Sequence, residues 1–220
     1  NRQSNRQKPE ITRQAHQSTV LRSLQVFLWS VQVVIEVGVT MIQDLRNSLP
    51  FIFEKEFGQI QGSMKSSVED GLQIVEYKNE HLNFISTLGL SKNYSILSME
   101  WFMEFQKELP NDNAASMMDY YISLLLSNHI ACPKRGNFIL FSQPEDHIWV
   151  KDNICGIYFT VPAYRSDLFQ EEMKKIKIIP IWVVPIANID KEILENKGWK
   201  YLECFWEDNQ IDLHDPFRRY

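Results

Sequence analysis

Cysteine is scarce in this chain and follows no disulfide pattern. The 220 residues include three cysteines, Cys132, Cys155 and Cys204. Secreted domains that depend on disulfides usually carry cysteines in even numbers and at closer spacing. Widely spaced free thiols are typical of a reducing compartment, so the sequence predicts a cytoplasmic protein.

The short motifs that mark common catalytic sites are also missing. The chain contains no glycine-rich phosphate-binding loop, no dinucleotide-binding fingerprint and no kinase signature. It also lacks the Gly-x-Ser-x-Gly turn that exposes a hydrolase nucleophile. A triad can still be imagined from Ser91 and His214, which leaves an unrecognised hydrolase as a remote alternative. We expect a protein that is not an enzyme, has no catalytic residues and uses no cofactor.

One pair of residues has the spacing of metal ligands. His129 and Cys132 could be two ligands of a zinc site, but no second pair lies nearby in the sequence. A tetrahedral site would need two more ligands from distant positions such as His147, Cys155 or Cys204. The sequence therefore predicts no metal site.

Charge is distributed unevenly along the chain. The formal net charge is −5, yet residues 1–22 contain five basic residues and a single acid, Glu10. That tail has a charge of +4, which leaves −9 for the rest of the chain. Phosphate backbones repel an acidic surface, so we expect no nucleic-acid partner. The same charge favours a basic protein partner.

Residues 1–44 are predicted to be a basic tail and an apolar N-terminal extension, ahead of one domain over residues 45–220. The apolar stretch 20–42 resembles a membrane anchor, but polar and charged residues interrupt it at Arg22, Gln25, Gln32 and Glu36. A glutamate at the centre of a bilayer is costly, so we predict no membrane contact. We expect this stretch to dock on the domain or on a second copy of the chain, and a homodimer through residues 20–44 is one of these outcomes.

Hydrophobic periodicity predicts interleaved helices and strands in the first half of the domain. Ser48 and Gly58 bracket a short helix with an apolar face of Leu49, Ile52, Phe53 and Phe57. Residues 62–67 are predicted as a loop, and residues 72–77 and 82–87 as strands. Alternation over residues 97–106 predicts a half-buried strand, with Glu100 and Glu104 among its polar positions.

The second half of the domain continues this mixture. A helix begins after the capping residues 111–113, and strands are predicted over residues 138–141, 147–150, 154–161 and 176–185. Pro180 should place the last strand at a sheet edge or bend it. Asn188 is predicted to cap a helix that runs to about Asn196, and Gly198 breaks it. A final helical face comprises Trp199, Leu202, Phe205 and Trp206. Strands and helices follow no regular alternation, so the predicted class is α+β.

Four segments together resemble the Suppressor-of-Fused-like domain family. Residues 82–91 end in Thr87-x-Gly89-Leu90-Ser91, which is similar to a strand-and-turn segment of that family. The alternating strand and the helix with Tyr120-Tyr121-Ile122 follow in the family's order. Residues 181–186, the helix from Asn188 and the Gly198 break resemble the ending of small bacterial members, and Asp215-Pro216-x-Arg218 resembles their closing motif.

The resemblance implies a mixed, mostly antiparallel sheet with packed helices, and a role in binding proteins. Animal members restrain a transcription factor by clamping its peptide between two domains, and this chain has room for the first of these. Small bacterial members look like immunity proteins, or antitoxins, against polymorphic toxins. A single acidic domain favours the bacterial branch, and a regulatory partner of a transcription or signalling protein is the alternative.

The acidic end of the chain is the candidate partner-binding surface. Its residues are Glu192, Glu195, Glu203, Glu207, Asp208 and Asp212, together with Trp199 and Trp206. Carboxylates would attract a basic toxin, and buried aromatic residues dominate most interfaces. The alternative interpretation is a solvated helix face with buried tryptophans. Thr87, Gly89, Leu90 and Ser91 are predicted to be a structural turn of the family.

Overall fold

A computed structural model describes residues 47–68, 70–93, 98–106, 111–127, 133–140, 154–162 and 165–218. The chain divides into two units, Asn1–Asn47 and Ser48–Tyr220. The predicted tail and extension lie outside the described residues, as do His129, Cys132 and the strand predicted over residues 147–150. Every helix within these ranges is too short or too polar to span a bilayer.

The described residues form seven strands and six helices. The strands are β1 Gln59–Lys65, β2 Gln73–Lys78, β3 Leu82–Leu88, β4 Met99–Gln106, β5 Phe138–Leu140, β6 Ile154–Thr160 and β7 Ile179–Ala187. The helices are α1 Leu49–Phe57, α2 Leu90–Asn93, α3 Asn111–Ser127, α4 Asp167–Lys175, α5 Asn188–Lys197 and α6 Trp199–Asp208.

All seven strands belong to one sheet, in the order β1-β2-β3-β4-β7-β6-β5. Neighbouring strands run antiparallel except β4 and β7, which pair in parallel at the centre of the sheet. The predicted α+β class with a mixed, mostly antiparallel sheet is therefore confirmed. The parallel pair joins Met99–Phe102 to Ile179–Trp182, so segments far apart in the chain meet at the middle of the fold.

The first helix shows how local sequence sets the element boundaries. The predicted inner face of α1, Leu49, Ile52, Phe53 and Phe57, is buried. Gly58 ends the helix with φ +101°, and a Cβ at this position would lie 2.3 Å from the carbonyl oxygen of Lys78. Only glycine fits such a conformation and so close a backbone approach.

The sheet separates two hydrophobic clusters. On one face, α3 packs its apolar side chains against alternate residues of the central strands, including Trp101, Met103 and Phe159. On the other face, α1, α4, α5 and α6 cover the intervening residues, including Phe84, Phe102 and Trp182. Because both faces are covered, the central strands are buried on both sides.

This double burial corrects the interpretation of β4. The strand exists where its alternation predicted it, but it is not half-buried: Glu100 is 0 % exposed and Glu104 is 2 % exposed. Both carboxylates point into the face that holds Phe102, and both have partners there. Polar alternation here marks buried interactions and does not mark a solvent face.

Two further expectations about strands are wrong. The loop predicted over residues 62–67 is largely β1, a polar edge strand with most of its residues exposed. Of the two alternatives predicted for Pro180, the edge position is wrong, because Pro180 lies in β7, an interior strand of the sheet. Proline has no backbone N–H to donate to a neighbouring strand. It is tolerated here because β6 pairs with β7 only from Trp182 onward, so no residue of β6 lies opposite Pro180.

Helix α4 was missed by the sequence analysis, although its start carries a recognisable cap. Ser166 accepts a hydrogen bond from the N–H of Phe169, and Asp167 stands in the first turn. Phe169 and Met173 are buried at a spacing of one helical turn. This local pattern would have predicted the helix.

Phe57 is expected to be a major contributor to the stability of the domain. Its ring is fully buried within 6 Å of the ring centroids of Phe53, Tyr77, Phe84, Phe102 and Phe169. Phe57→Ala should lower the free energy of unfolding by about 3–5 kcal/mol, because it leaves a cavity in a packed cluster. Urea denaturation followed by tryptophan fluorescence measures this loss.

Phe51 on the same helix supplies the matched control. Its side chain is 71 % exposed, so Phe51→Ala should change stability by less than about 0.5 kcal/mol. Equal effects at the two positions would contradict the packing described here.

Candidate functional site

The predicted structural turn is built around the buried carboxylate of Glu100. Thr87 Oγ1 donates to Glu100 Oε2 at 2.7 Å, and Ser91 Oγ donates to Oε1 at 2.7 Å. The backbone N–H groups of Gly89, Leu90 and Ser91 donate to the same carboxylate at 3.0–3.3 Å. Five donors from one short segment therefore converge on a single side chain of β4.

Gly89 makes this convergence possible. Its φ of +108° turns the chain after β3, and a Cβ would lie 2.7 Å from the carbonyl oxygen of Gly71. Burial raises the pKa of Glu100 above its ordinary value, and the hydrogen bonds from Thr87, Ser91 and Gly89 offset part of that rise. Thr87, Leu90 and Ser91 are all buried, so the motif stabilises the fold and offers no surface to a partner.

A second motif is fixed by the buried carboxylate of Asp190 in α5. Arg218 Nη2 donates to Asp190 Oδ2 at 2.9 Å and to the carbonyl oxygen of Pro185 at 2.8 Å. Asp190 also accepts from the indole N–H of Trp206 at 2.8 Å and from the N–H of Ala187 at 2.9 Å. The closing Asp-Pro-x-Arg segment is thus tied to the Pro-Ile strand, α5 and α6 together.

This arrangement changes the role expected for Trp206. The side chain is 4 % exposed, and its ring packs edge-to-face on Tyr158 with centroids 5.4 Å apart. Arg218 lies 5.4 Å from the ring centroid on another side. Trp206 is therefore a core residue that reaches the surface only at its edge, and the partner-binding surface cannot depend on it as an exposed anchor.

Glu203 also makes its main contacts with other residues of the domain and is not a freely exposed surface carboxylate. Its Oε1 accepts hydrogen bonds from Tyr158 and Thr160, each at 2.8 Å, and Arg135 Nη2 donates to Oε2 at 2.6 Å. Burial opposes ionisation of Glu203, but these three donors outweigh it and hold the pKa of the carboxyl below its ordinary value.

Trp199 packs in the same region as Glu203 and Arg135. Arg135 lies 5.2 Å from the centroid of its ring, and Lys200 lies 5.7 Å away. Gly136 has φ +93°, and a Cβ there would lie 2.6 Å from the indole. Trp199 is therefore a half-buried support for the turn before β5.

The remaining acids of the predicted surface do face solvent. Glu192, Glu195, Glu207 and Asp208 are exposed and, within the described part of the chain, form no salt bridge. Asp212 is half-exposed and accepts from Gln106 Nε2 at 2.9 Å. We call Glu192, Glu195, Glu207 and Asp208 the acidic face, which α5 and α6 present.

A cleft of about 240 Å³ opens beside one end of the acidic face. The edges of Trp182 and Trp206 contribute to its lining with Val161, and the segment after α6 adds Ile211 and Leu213. The polar lining consists of Thr160, the Glu203–Arg135 pair and Glu207. The sequence analysis missed this cleft, because its lining comes from four separate segments.

A charged cluster holds the segment that lines the cleft. His214 Nε2 lies 3.3 Å from Glu104 Oε2, and His214 Nδ1 lies 3.2 Å from Asp212 Oδ1. Arg165 Nη2 approaches Glu104 Oε2 at 2.5 Å, and Arg165 Nη1 lies 3.6 Å from Glu56. Hydrogen bonding and attraction from Glu104 raise the pKa of His214, since both ring nitrogens face carboxylates.

The structure keeps the imagined hydrolase pair apart. Ser91 is bonded to Glu100 and His214 lies against Glu104, and the strand rise separates the Cα atoms of these two glutamates by about 13 Å. Within the described residues, histidine, cysteine and acidic side chains nowhere gather in a group suited to a metal ion. Cys155 and Cys204 are free thiols.

Comparison with known proteins identifies relatives of this fold. The family model described as Suppressor of fused protein matches residues 68–219. A crystal structure of a protein from Neisseria gonorrhoeae FA 1090, described as a suppressor of fused homolog, superposes with a TM-score of 0.61 at 14 % identity. The match covers 81 % of this chain and 96 % of the other. A search of curated proteins found no match.

The Glu100 turn leads to a graded prediction. Glu100→Leu should lower the free energy of unfolding by about 3–5 kcal/mol, because it leaves buried N–H groups of the turn without an acceptor. Glu100→Gln should cost less, because an amide oxygen can still accept the bonds now made by Oε1. Urea denaturation of both variants gives the comparison, with Glu171→Leu at an exposed position as the control. A leucine variant as stable as the wild type would show that the carboxylate does not hold the turn.

The His214 cluster predicts a pH-dependent stability. Because its pKa is raised in the folded state, the contribution of His214 is fully present below the unfolded value of about 6.5 and is lost as pH rises through the folded value. The free energy of unfolding should therefore fall as pH increases from about 6, and His214→Gln should remove this part of the fall. Urea midpoints of the two proteins across pH 6–9 isolate the effect. Parallel pH profiles for the two proteins would contradict it.

Proposed function

This chain belongs to the Suppressor of fused family, and on that premise we propose that it is an immunity protein, which neutralises a cognate toxin by direct binding. The proposal is a protein-binding role without catalysis, cofactor or nucleic-acid partner. It rests first on the acidic face, four exposed carboxylates on two consecutive helices.

The distribution of acids supports binding to a basic partner. Buried or partly buried carboxylates, such as Glu100, Asp190 and Glu203, are satisfied by donors from the chain itself. The exposed carboxylates of the acidic face form no salt bridge among the described residues, so their field extends into solvent. The four carboxylates outnumber the lysines of the same helices, Lys191, Lys197 and Lys200. An excess of charge opposite to that of a partner raises the association rate by up to about 10–1,000-fold.

Rigidity of this surface supports the same role. Helices α5 and α6 follow each other with only Gly198 between them. The bond from Trp206 to Asp190 and the bonds from Arg218 fix both helices to β7. A surface that is already ordered loses little conformational entropy on binding, which favours high affinity.

The expected chemistry of the toxin explains why an acidic surface would suit an inhibitor. Many toxins of this class are expected to attack nucleic acids, and proteins that bind phosphates carry clustered basic residues. An acidic surface of matching size can therefore cover such a site.

Charge neutralisation on the acidic face tests the proposal. We expect wild-type protein to capture one large protein with a basic C-terminal toxin domain from the native cell, and to protect cells that express that domain. Glu195→Gln combined with Glu207→Gln and Asp208→Asn should weaken the complex by about ten- to a hundredfold, mainly through a slower association rate. Surface plasmon resonance at two salt concentrations measures this effect.

The matched control removes three charges elsewhere: Asp70→Asn, Asp167→Asn and Glu171→Gln, all at exposed positions. This variant should bind within about twofold of the wild type. Glu203 is left unchanged in both, because its loss would disturb Tyr158, Thr160 and Arg135. Capture of a transcription factor would favour the regulatory alternative, and equal weakening by both variants would exclude the acidic face.

A further inference from the structure

The cleft beside the acidic face differs in size from a site for a cofactor or metabolite. Its volume of about 240 Å³ lies below the range of about 300–1,000 Å³ that is common for small-molecule pockets. A cleft of this size suits one long side chain of a partner.

The lining favours a side chain with an apolar stem. Val161 is 40 % exposed at one side, and Ile211 and Leu213 are partly buried at another. Trp182 and Trp206 lie deeper, at 2 % and 4 % exposure. Methylene groups entering this space would displace water from apolar surface on several sides.

The polar residues favour a positive head group. Glu203 is already compensated by Arg135, whose Nε and Nη2 both bond to it. Glu207 is the other carboxylate of the lining, and it forms no salt bridge with any described residue. An apolar side chain would partly desolvate Glu207 without a partner, and an acidic one would be repelled, whereas a cation would pair with it.

We propose that this cleft takes a single lysine or arginine side chain of the protein partner, with its stem among Val161, Ile211 and Leu213 and its head group on Glu207. Long basic side chains commonly bury their methylene stems while the charge stays near solvent. This inference rests on the proposed function, because it specifies the contact that a basic partner would make at one end of the acidic face.

Short peptides allow the cleft to be tested without the partner. The probe is the blocked tripeptide acetyl-Gly-Arg-Gly-amide, and the matched control replaces arginine with citrulline, which has nearly the same shape but no charge. Binding to the full chain is followed by NMR through the indole N–H signals of Trp182 and Trp206. We expect saturable shifts for the arginine peptide and an affinity about two- to fivefold lower for citrulline, the range of one partly exposed ion pair.

Three variants of the protein test whether the peptides bind in the cleft. Glu207→Gln should abolish the preference for arginine over citrulline, whereas Glu171→Gln, which removes an exposed charge outside the cleft and the acidic face, should leave it unchanged. Val161→Phe should weaken both peptides, because it fills the cleft from an exposed position. Equal binding of the two peptides, equal effects of the two glutamate variants, or no saturable shift at these indoles would each overturn the proposal.

The outcomes also separate this inference from the proposed function. If the peptides fail to bind but neutralising the acidic face weakens the complex with the toxin as expected, the cleft assignment is wrong and the function stands. If the arginine peptide binds as expected but no basic partner is captured, the cleft assignment stands and the immunity role is wrong.

Discussion

The central strand β4 carries the constraint on which the rest of the domain depends. It places two carboxylates, Glu100 and Glu104, inside a sheet that is covered on both faces. Buried acids are tolerated only when donors or opposite charges surround them. Glu100 obtains its donors from the turn after β3, and Glu104 obtains its partners, Arg165 and His214, from segments much later in the chain. The position of the family turn and of the C-terminal segment thus follows from the need to satisfy one strand.

Asp190, in the first turn of α5 directly after the neighbouring strand β7, repeats this principle and connects it to the surface. Its partners, Trp206 and Arg218, come from the last helix and from the closing motif. The same segment continues through Ile211 and Leu213, which line the cleft. Surface shape at this end of the molecule is therefore determined by polar contacts in its interior.

Local patterns were sufficient to predict most elements but not the partners of their polar residues. The apolar face of α1, the strands near residues 72–87 and the Gly198 break follow from periodicity and turn chemistry, which act over a few residues. Glu100 and Glu104 were interpreted as the solvent-facing positions of an alternating strand. No residue close to them in the sequence indicates that hydrogen-bond donors surround them in the core. The edge strand β1 escaped prediction since polar residues on both faces give no alternation.

The candidate site, too, could be predicted only in part from the sequence. Glu192, Glu195, Glu207 and Asp208 were chosen for the density of acids in this segment, and they lie at exposed helix positions. The sequence did not show that Glu203 is bonded to Arg135, because 68 positions separate the two residues. The cleft was equally invisible, since its lining is assembled from distant segments. Long-range pairing of polar groups was thus the main physical information that one sequence did not reveal.

The parallel pairing of β4 with β7 has a consequence for how the chain matures. Contacts between segments this far apart form late and slowly, because a long loop must close before any pairing stabilises it. A ribosome delivers the chain from its N-terminus, so the middle of the sheet stays incomplete until β7 has emerged, and Asp190 lacks its guanidinium partner until residue 218 follows. The surface formed by α5 and α6 is then among the last parts of the domain to acquire its shape.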